Sequence, residues 1–156
     1  MKKTKLEVME HVMSFHGIGG DSAKPIYDAY NAVKPAHIAY GAPWCAMFLW
    51  FALQDQMDWF PCEASCDMMR RRFQQAGRWY EPGERKPLPG DVIFFSKKHT
   101  ASDCTHVGYI MQCDYYNEIL TDYEGNTSNM VAPRMYTFTD GGYIVGFGDL
   151  QDQYLT

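Results

Sequence analysis

Residues 43–51, PWCAMFLWF, form the segment that most constrains how this chain can fold. The run is too apolar for a surface loop, and as a helix it places large side chains near one buried stripe. Pro43 blocks continuation of a helix backwards, so the sequence predicts a helix that begins at Trp44 or Cys45 and extends to about residue 57. We expect this helix to be the central one of the fold.

The first turn of that helix contains Cys45. A helix N-terminus carries unsatisfied N–H groups and the positive end of the helix dipole, and both favour a thiolate over a thiol. This placement suits a nucleophile. The alternative is a core cysteine that packs as a small hydrophobic residue.

Two later segments supply the partners that a nucleophilic cysteine needs. His106 opens a predicted strand over residues 106–113, and Glu124 closes another over residues 119–124. A base must take the proton of the thiol, and a third group must orient that base. In extended backbone Asn126 points to the same face as Glu124, so either side chain could reach the imidazole. The order Cys, His, Glu or Asn therefore predicts a catalytic site.

These residues lie within short motifs that follow one another in a fixed order. The motifs are WCAMF at 44–48, PGDVIFF at 89–95, HVG at 106–108, EGNT at 124–127 and GFG at 146–148. The set resembles the CHAP family, the cysteine, histidine-dependent amidohydrolases/peptidases. That family is close in architecture to the NlpC/P60 enzymes and more distantly similar to papain. The resemblance extends over about residues 40–148.

The resemblance implies a function and a mechanism. CHAP enzymes, endolysins among them, hydrolyse amide bonds of bacterial cell-wall peptidoglycan through a thioester intermediate. They act as N-acetylmuramoyl-L-alanine amidases or as peptide endopeptidases. By this resemblance Cys45 is the nucleophile, His106 is the general base and then the acid, and Glu124 orients His106, with Asn126 close by. The substrate would be a peptidoglycan stem peptide or cross-bridge, and no cofactor is implied.

The group that stabilises the oxyanion is less well defined by the sequence. The backbone N–H of Cys45 is one expected donor, and Tyr40 is a candidate source of a second. Many CHAP relatives have glutamine six residues before the cysteine, whereas this chain has Ala39. Trp44 is expected to pack beside the nucleophile, with a place in the wall of the substrate groove as the alternative.

No metal site is predicted. Some CHAP relatives hold calcium in an acidic loop ahead of the nucleophile. No acidic residue lies between Asn31 and Trp44, so we predict no structural calcium there.

The chain has five cysteines, of which four remain besides Cys45. Reduced thiols are the favoured interpretation, because no signal peptide is recognisable and disulfides are rare in the cytoplasm. Two disulfides are one alternative, and a zinc site is another, although the spacings suit zinc poorly. Cys104 lies two residues before His106 and could therefore sit near the active site. The remaining cysteines are Cys62, Cys66, Cys104 and Cys113.

Charge and hydropathy limit the partners. The net charge is −5, and the only short run of arginines, at residues 70–72, is expected to be a solvated face, so nucleic acid is excluded as a partner. No apolar run is long enough to span a membrane. Residues 1–8 begin like a signal peptide, but charged residues interrupt the apolar core. We expect a monomer made in the cytoplasm that acts on the cell wall if it is released or exported.

The periodicity changes from helical to extended near residue 87, which predicts an α+β fold. We expect a papain-like domain over residues 1–156, in which residues 1–39 are an N-terminal helical part and residues 40–148 are the motif-bearing core. The nucleophile helix should pack on a mostly antiparallel sheet, with the base at the sheet's edge. The predicted helices cover 4–16, 23–33, 45–57 and 65–76, and the predicted strands cover 91–96, 106–113, 119–124, 135–139 and 143–147.

Two other functions compete with wall hydrolysis. The same three residues could cleave another amide, such as a protein isopeptide bond. A non-catalytic binding or inhibitory module could also retain the fold, although no position of the site is lost.

Overall fold

The computed structural model describes residues 2–35 and 37–156. Its α-helices lie in the first half of the chain, as the sequence predicts. The first is closed at its N-terminus by a capping box, in which the Thr4 side chain accepts from the backbone of Glu7 and the Glu7 side chain binds the backbone of Thr4. The helices are α1 (Lys5–Met13), α2 (Lys24–Val33), α3 (Cys45–Leu53) and α4 (Cys66–Gln75).

The second half of the chain forms an antiparallel sheet with the strand order β1-β6-β2-β3-β4-β5. Short 3-10 helices lie at Gly20–Ala23, Asp140–Gly142 and Gln151–Gln153. The predicted α+β class and the packing of the nucleophile helix on an antiparallel sheet are confirmed. The strands are β1 (Trp79–Tyr80), β2 (Val92–Phe95), β3 (His106–Asp114), β4 (Ile119–Thr127), β5 (Met130–Thr137) and β6 (Ile144–Gly148).

The structure differs from the predicted elements in several places. Helix α3 ends at Leu53 rather than near residue 57, and β5 begins at Met130, well before the predicted start at 135. Strand β1 was not predicted, because two residues carry no measurable alternation. The placement of the base at the sheet's edge is wrong: β3 lies between β2 and β4, so His106 stands at the end of an interior strand.

Helix α3 is the centre of the core. It is in contact with α1, α2 and α4 on its outer sides and with β3 and β4 of the sheet. Its side chains from Ala46 to Leu49 are fully buried. A helix that is apolar all round is stable in water only when other elements cover every side, which is the arrangement found here.

Gly125 allows β4 to approach α3 closely. A Cβ atom at this position would lie 2.5 Å from the Cβ of Phe48, a separation that carbon atoms do not tolerate. The glycine of the EGNT motif therefore sets the distance between the nucleophile helix and the strand that carries Glu124.

In the described part of the chain, no helix has the length and apolarity needed to cross a membrane.

Candidate active site

Cys45 is the first residue of α3, as predicted from the proline that precedes the apolar run. Trp44 is the N-cap residue but provides no side-chain hydrogen bond, and the first turn contains no acidic residue. The N-terminal N–H groups of α3 thus act on Cys45 without a competing carboxylate. Cys45 is 4% exposed, and it lines a cavity of about 480 Å³ that opens to solvent.

His106 and Glu124 meet across the neighbouring strands β3 and β4. His106 Nε2 lies 2.7 Å from Glu124 Oε1. The other carboxylate oxygen accepts a hydrogen bond of 2.6 Å from the Tyr136 hydroxyl. Glu124 is buried and has both oxygens engaged, so it fixes the orientation of the imidazole ring. With Nε2 bound to Glu124, Nδ1 is the nitrogen left to serve the Cys45 sulfur.

The pKa values of the two central groups are shifted towards an ion pair. Hydrogen bonding from Cys66 lowers the pKa of Cys45 well below its ordinary value, and the interaction with His106 adds to this against the opposing effect of burial. Burial would lower the pKa of His106, but the hydrogen bonds and charges of Cys45 and Glu124 outweigh it and raise that pKa to about 9. Near neutral pH the site therefore holds a thiolate beside an imidazolium.

Cys66 is a site residue that the sequence did not single out. Its Sγ lies 3.2 Å from the Sγ of Cys45. Cys66 opens α4, whose N-cap Ser65 accepts a hydrogen bond from the backbone of Met68. Hydrogen bonding to Cys45, together with burial, raises the pKa of Cys66 well above its ordinary value. Cys66 therefore remains a thiol and donates its S–H to the Cys45 thiolate.

Asp122 is a second residue that sequence reasoning missed. It is fully buried, and among the described residues neither carboxyl oxygen has a partner in good hydrogen-bond geometry. Burial, and then the neighbouring charge of Glu124, raise the pKa of Asp122 well above its ordinary value. Burial would also raise the pKa of Glu124, but the hydrogen bonds with His106 and Asp122 have the larger effect and lower that pKa. A neutral Asp122 thus stands beside an ionised Glu124.

Gly108 accommodates this buried carboxyl group. A Cβ atom at Gly108 would lie 2.1 Å from Asp122 Oδ2 and 3.1 Å from Glu124 Cγ. The glycine of the HVG motif therefore leaves room on β3 for two acidic side chains of β4. The signal in the sequence was the shared face of Asp122 and Glu124, two residues apart in a strand.

The other predicted site residues have different positions. Asn126 lines the cavity of Cys45, but Glu124 rather than Asn126 binds His106. The backbone of Asn126 has a φ of 59°, within a register shift of β4, so the alternation that placed it beside Glu124 is broken there. Tyr40 and Trp44 line a separate cavity, not that of Cys45. Trp44 is buried against Phe48.

The Tyr40 hydroxyl donates to Asp28 Oδ1 at 2.5 Å, and the ring is 55% exposed. The structure therefore does not bring Tyr40 to the nucleophile. Nearness in sequence suggested Tyr40, but Gly41 turns the chain with a φ of 92° between Tyr40 and the helix.

All five cysteines are free thiols in the structure. Cys104 is buried close enough to Cys66 for its charge to affect the pKa of that thiol, and its backbone N–H donates to Asp67. Among residues 2–35 and 37–156, no group of three or more His, Cys, Asp or Glu side chains is arranged to hold a metal ion.

Comparison with known proteins identifies a family and similar solved structures. The sequence model of the CHAP domain matches residues 37–126. The crystal structure of Ly7917 superimposes with a TM-score of 0.55 at 14% identity, covering 94% of this chain and 62% of that one. The structure of Ly7917 with the hydrolyzing product of MDP gives a TM-score of 0.55 at 13% identity, covering 93% and 62%.

The chain thus spans less than two thirds of the length of Ly7917, and at this identity the likeness shows the fold alone. No curated protein matches the sequence. The family match covers more than half of the chain and includes Cys45, His106 and Glu124. The chain belongs to the CHAP family, a family of the peptidoglycan-hydrolase type of amidase and peptidase whose domains are generally hydrolases.

Proposed function

We propose that this chain is a cysteine hydrolase that cleaves an amide bond of a peptidoglycan stem peptide or cross-bridge. The observation that carries the proposal is the alignment of Cys45, His106 and Glu124 on the wall of one cavity of about 480 Å³. An ionised sulfur next to a protonated imidazole, held by a buried carboxylate, is the arrangement that nucleophilic attack on an amide requires.

The reaction begins with attack of the Cys45 sulfur on the carbonyl carbon. Negative charge develops on the carbonyl oxygen, where the backbone N–H of Cys45 and the N-terminus of α3 can stabilise it. His106 then gives its proton to the departing amine, and a thioester to Cys45 remains. A water molecule, deprotonated by His106, attacks the thioester and releases the acid. Glu124 holds the ring in place through each step.

A second cavity extends the first along the β4–β5 hairpin. It measures about 590 Å³, and Thr127, Ser128, Arg134 and Tyr136 line both cavities. The shared lining residues join the two cavities into one groove along the hairpin. This shape supports a chain-like substrate such as a stem peptide with its cross-bridge.

The charges of the groove suit an anionic peptide, although the chain as a whole is acidic. Lys97 and Arg134 line the cavity of Cys45, and its only acidic lining residue is the buried Glu124. Peptidoglycan stem peptides carry free carboxylates near the bonds that amidases and endopeptidases cut. We infer that Lys97 and Arg134 attract these carboxylates. Access to the wall would follow release or export of the protein.

The experiment is digestion of purified cell walls with the wild type and with Cys45→Ala, followed by mass measurement of the soluble fragments. The wild type should release defined muropeptides, and the new ends identify the bond that is cut. Cys45→Ala should release none while its circular dichroism stays unchanged, and Cys113→Ser serves as the matched control. Clearing by Cys45→Ala would reject the mechanism. If the folded wild type leaves cell walls intact but cleaves other amides, the proposed peptidoglycan substrate is wrong.

A further inference from the structure

Cys66 is a buried thiol whose only part in the proposed hydrolysis is its hydrogen bond to Cys45. Its sulfur lies 3.2 Å from the sulfur of Cys45, closer than two sulfur atoms approach without a hydrogen bond or a covalent bond. Both cysteines stand at the first position of a helix, α3 and α4, and these helices contact each other. The two thiols therefore form a pair that the tertiary structure brings together across 21 residues of sequence.

The pair is accessible from one side. Cys45 lines the cavity that opens to solvent, whereas Cys66 does not line it and is 8% exposed. A small oxidant that enters the cavity meets Cys45 first and finds Cys66 directly behind it. The lowered pKa of Cys45 keeps its sulfur as a thiolate, the form that reacts with peroxides.

We propose that Cys45 and Cys66 form a peroxide-sensitive dithiol, in which oxidation of the nucleophile is captured by Cys66 as a reversible disulfide. The site is then switched off by hydrogen peroxide and restored by a thiol reductant. The oxidation does not depend on hydrolysis of any substrate, so it can be tested whether or not the substrate is known.

The chemistry balances with hydrogen peroxide as the oxidant. The Cys45 thiolate attacks one peroxide oxygen and the O–O bond breaks, which gives a sulfenic acid at Cys45. The hydroxide that leaves takes the proton of the His106 imidazolium, which came from the Cys45 thiol, and becomes water. The Cys66 sulfur then attacks the Cys45 sulfur, the S–S bond forms, and the S–O bond breaks. The hydroxyl group leaves as water with the proton of Cys66. In total two thiols and one peroxide give one disulfide and two waters, and two electrons pass from sulfur to oxygen.

The required movement is small. The two sulfur atoms, now 3.2 Å apart, must approach to the length of a disulfide, about 2.05 Å, which is a displacement of roughly 1.1 Å. The fully buried core around α3 resists larger movement, so a partner at greater distance would be slower to react.

Cys104 is the competing thiol. It is buried near Cys66, and burial raises its pKa to about 12. The pKa of Cys66 is raised as well, so it is distance from Cys45 that separates the two thiols: Cys66 Sγ lies 3.2 Å from Cys45 Sγ. Cys104 Sγ contacts the Ala101 carbonyl at 4.0 Å and makes no hydrogen bond to Cys45. Cys66 therefore captures the oxidised nucleophile before Cys104 does.

The test treats the full chain with hydrogen peroxide, alkylates the remaining thiols, and maps the digested peptides by mass spectrometry without reduction. The expected product joins the peptides of Cys45 and Cys66, with a loss of about 2 Da relative to the two thiol peptides. Dithiothreitol should restore both thiols. Cys104→Ser, Cys62→Ser and Cys113→Ser are the controls, and each should still form the same product.

In Cys66→Ser and Cys66→Ala no thiol at position 66 can capture the sulfenic acid of Cys45. Cys45 should therefore be oxidised further and gain about 32 Da as a sulfinic acid that dithiothreitol does not reverse. If the wild type instead accumulates sulfinic acid at Cys45 while Cys66 remains open to alkylation, the proposal is wrong. A product that joins Cys66 to Cys104 would also overturn it. Because the readout is the mass of the peptides, an inactive wild type would reject the proposed function and leave this test unaffected.

Discussion

Glu124→Gln should weaken the ion pair at the site without changing the size of the side chain. The pKa of His106 is about 9 instead of 6.5, which corresponds to about 3 kcal/mol of preference for the imidazolium. Cys45 and Glu124 both contribute to this preference, and Cys45 is the larger contributor. Removal of the Glu124 charge should therefore lower the pKa of His106, but by less than removal of the Cys45 charge would.

The consequence is a change in the pH dependence of the reaction. The active form contains protonated His106, so activity falls as the pH rises through the pKa of that group, about 9 in the wild type. In Glu124→Gln the alkaline limb should move to lower pH. Loss of the hydrogen bond that orients the ring should in addition lower kcat/KM at neutral pH by about tenfold or more. The larger part of that fall should come from kcat, because ring orientation acts on the chemical steps.

The assay is kcat/KM for a purified muropeptide from pH 6 to pH 10, together with the NMR titration of the His106 ring. Glu10→Gln is the matched control, because Glu10 is an exposed residue of α1. An alkaline limb that stays in place in Glu124→Gln would refute the reasoning, since His106 would then owe its high pKa to Cys45 alone.

The remaining predictions concern the buried carboxyl, the close helix–strand contact and the groove. Asp122 has a raised pKa in the folded state, so its contribution favours folding below the unfolded pKa of about 3.8 and is lost as the pH rises above it. Asp122→Asn should therefore increase the free energy of unfolding, relative to the wild type, more at pH 8 than at pH 4, as measured by urea denaturation. An equal change at both pH values would contradict a neutral Asp122. Gly125→Ala should place a methyl group against Phe48 and cost about 1–3 kcal/mol, with a fall in activity, and an unchanged Tm would show that the contact is looser than 2.5 Å. Arg134→Gln should raise KM for peptides with free carboxylates more than for their amidated forms, and equal effects on both would exclude carboxylate recognition.

The sequence was sufficient to predict the elements that carry the candidate site residues Cys45, His106 and Glu124. Pro43 and the apolar run placed Cys45 at the start of α3, and the alternation of β4 turned Glu124 towards His106. These predictions succeed because they depend on local periodicity and on backbone geometry. Elements that are too short to show a period, such as β1, leave no such signal.

The residues that support the site could not be predicted in the same way. Cys66 reaches Cys45 through the packing of α4 on α3, and nothing local to either cysteine fixes that contact. Asp122 looks like a solvent-facing residue in the sequence, and its burial becomes evident only when β3 pairs with β4 and brings Gly108 against its carboxyl group. Tyr40 failed as an oxyanion donor for the converse reason, because closeness in sequence was taken as closeness in space.

The most direct test of the account is the rate at which iodoacetamide alkylates Cys45 as a function of pH, followed by mass spectrometry. We expect Cys45 to react rapidly at neutral pH, and we expect its rate to fall only at a pH well below the ordinary thiol value of 9.0, where the thiolate of the ion pair becomes protonated. Cys113, whose pKa burial raises to about 11, should react only at high pH in the same sample. A Cys45 whose reactivity titrates near the ordinary thiol value of 9.0 would contradict the thiolate–imidazolium pair on which the proposed function rests.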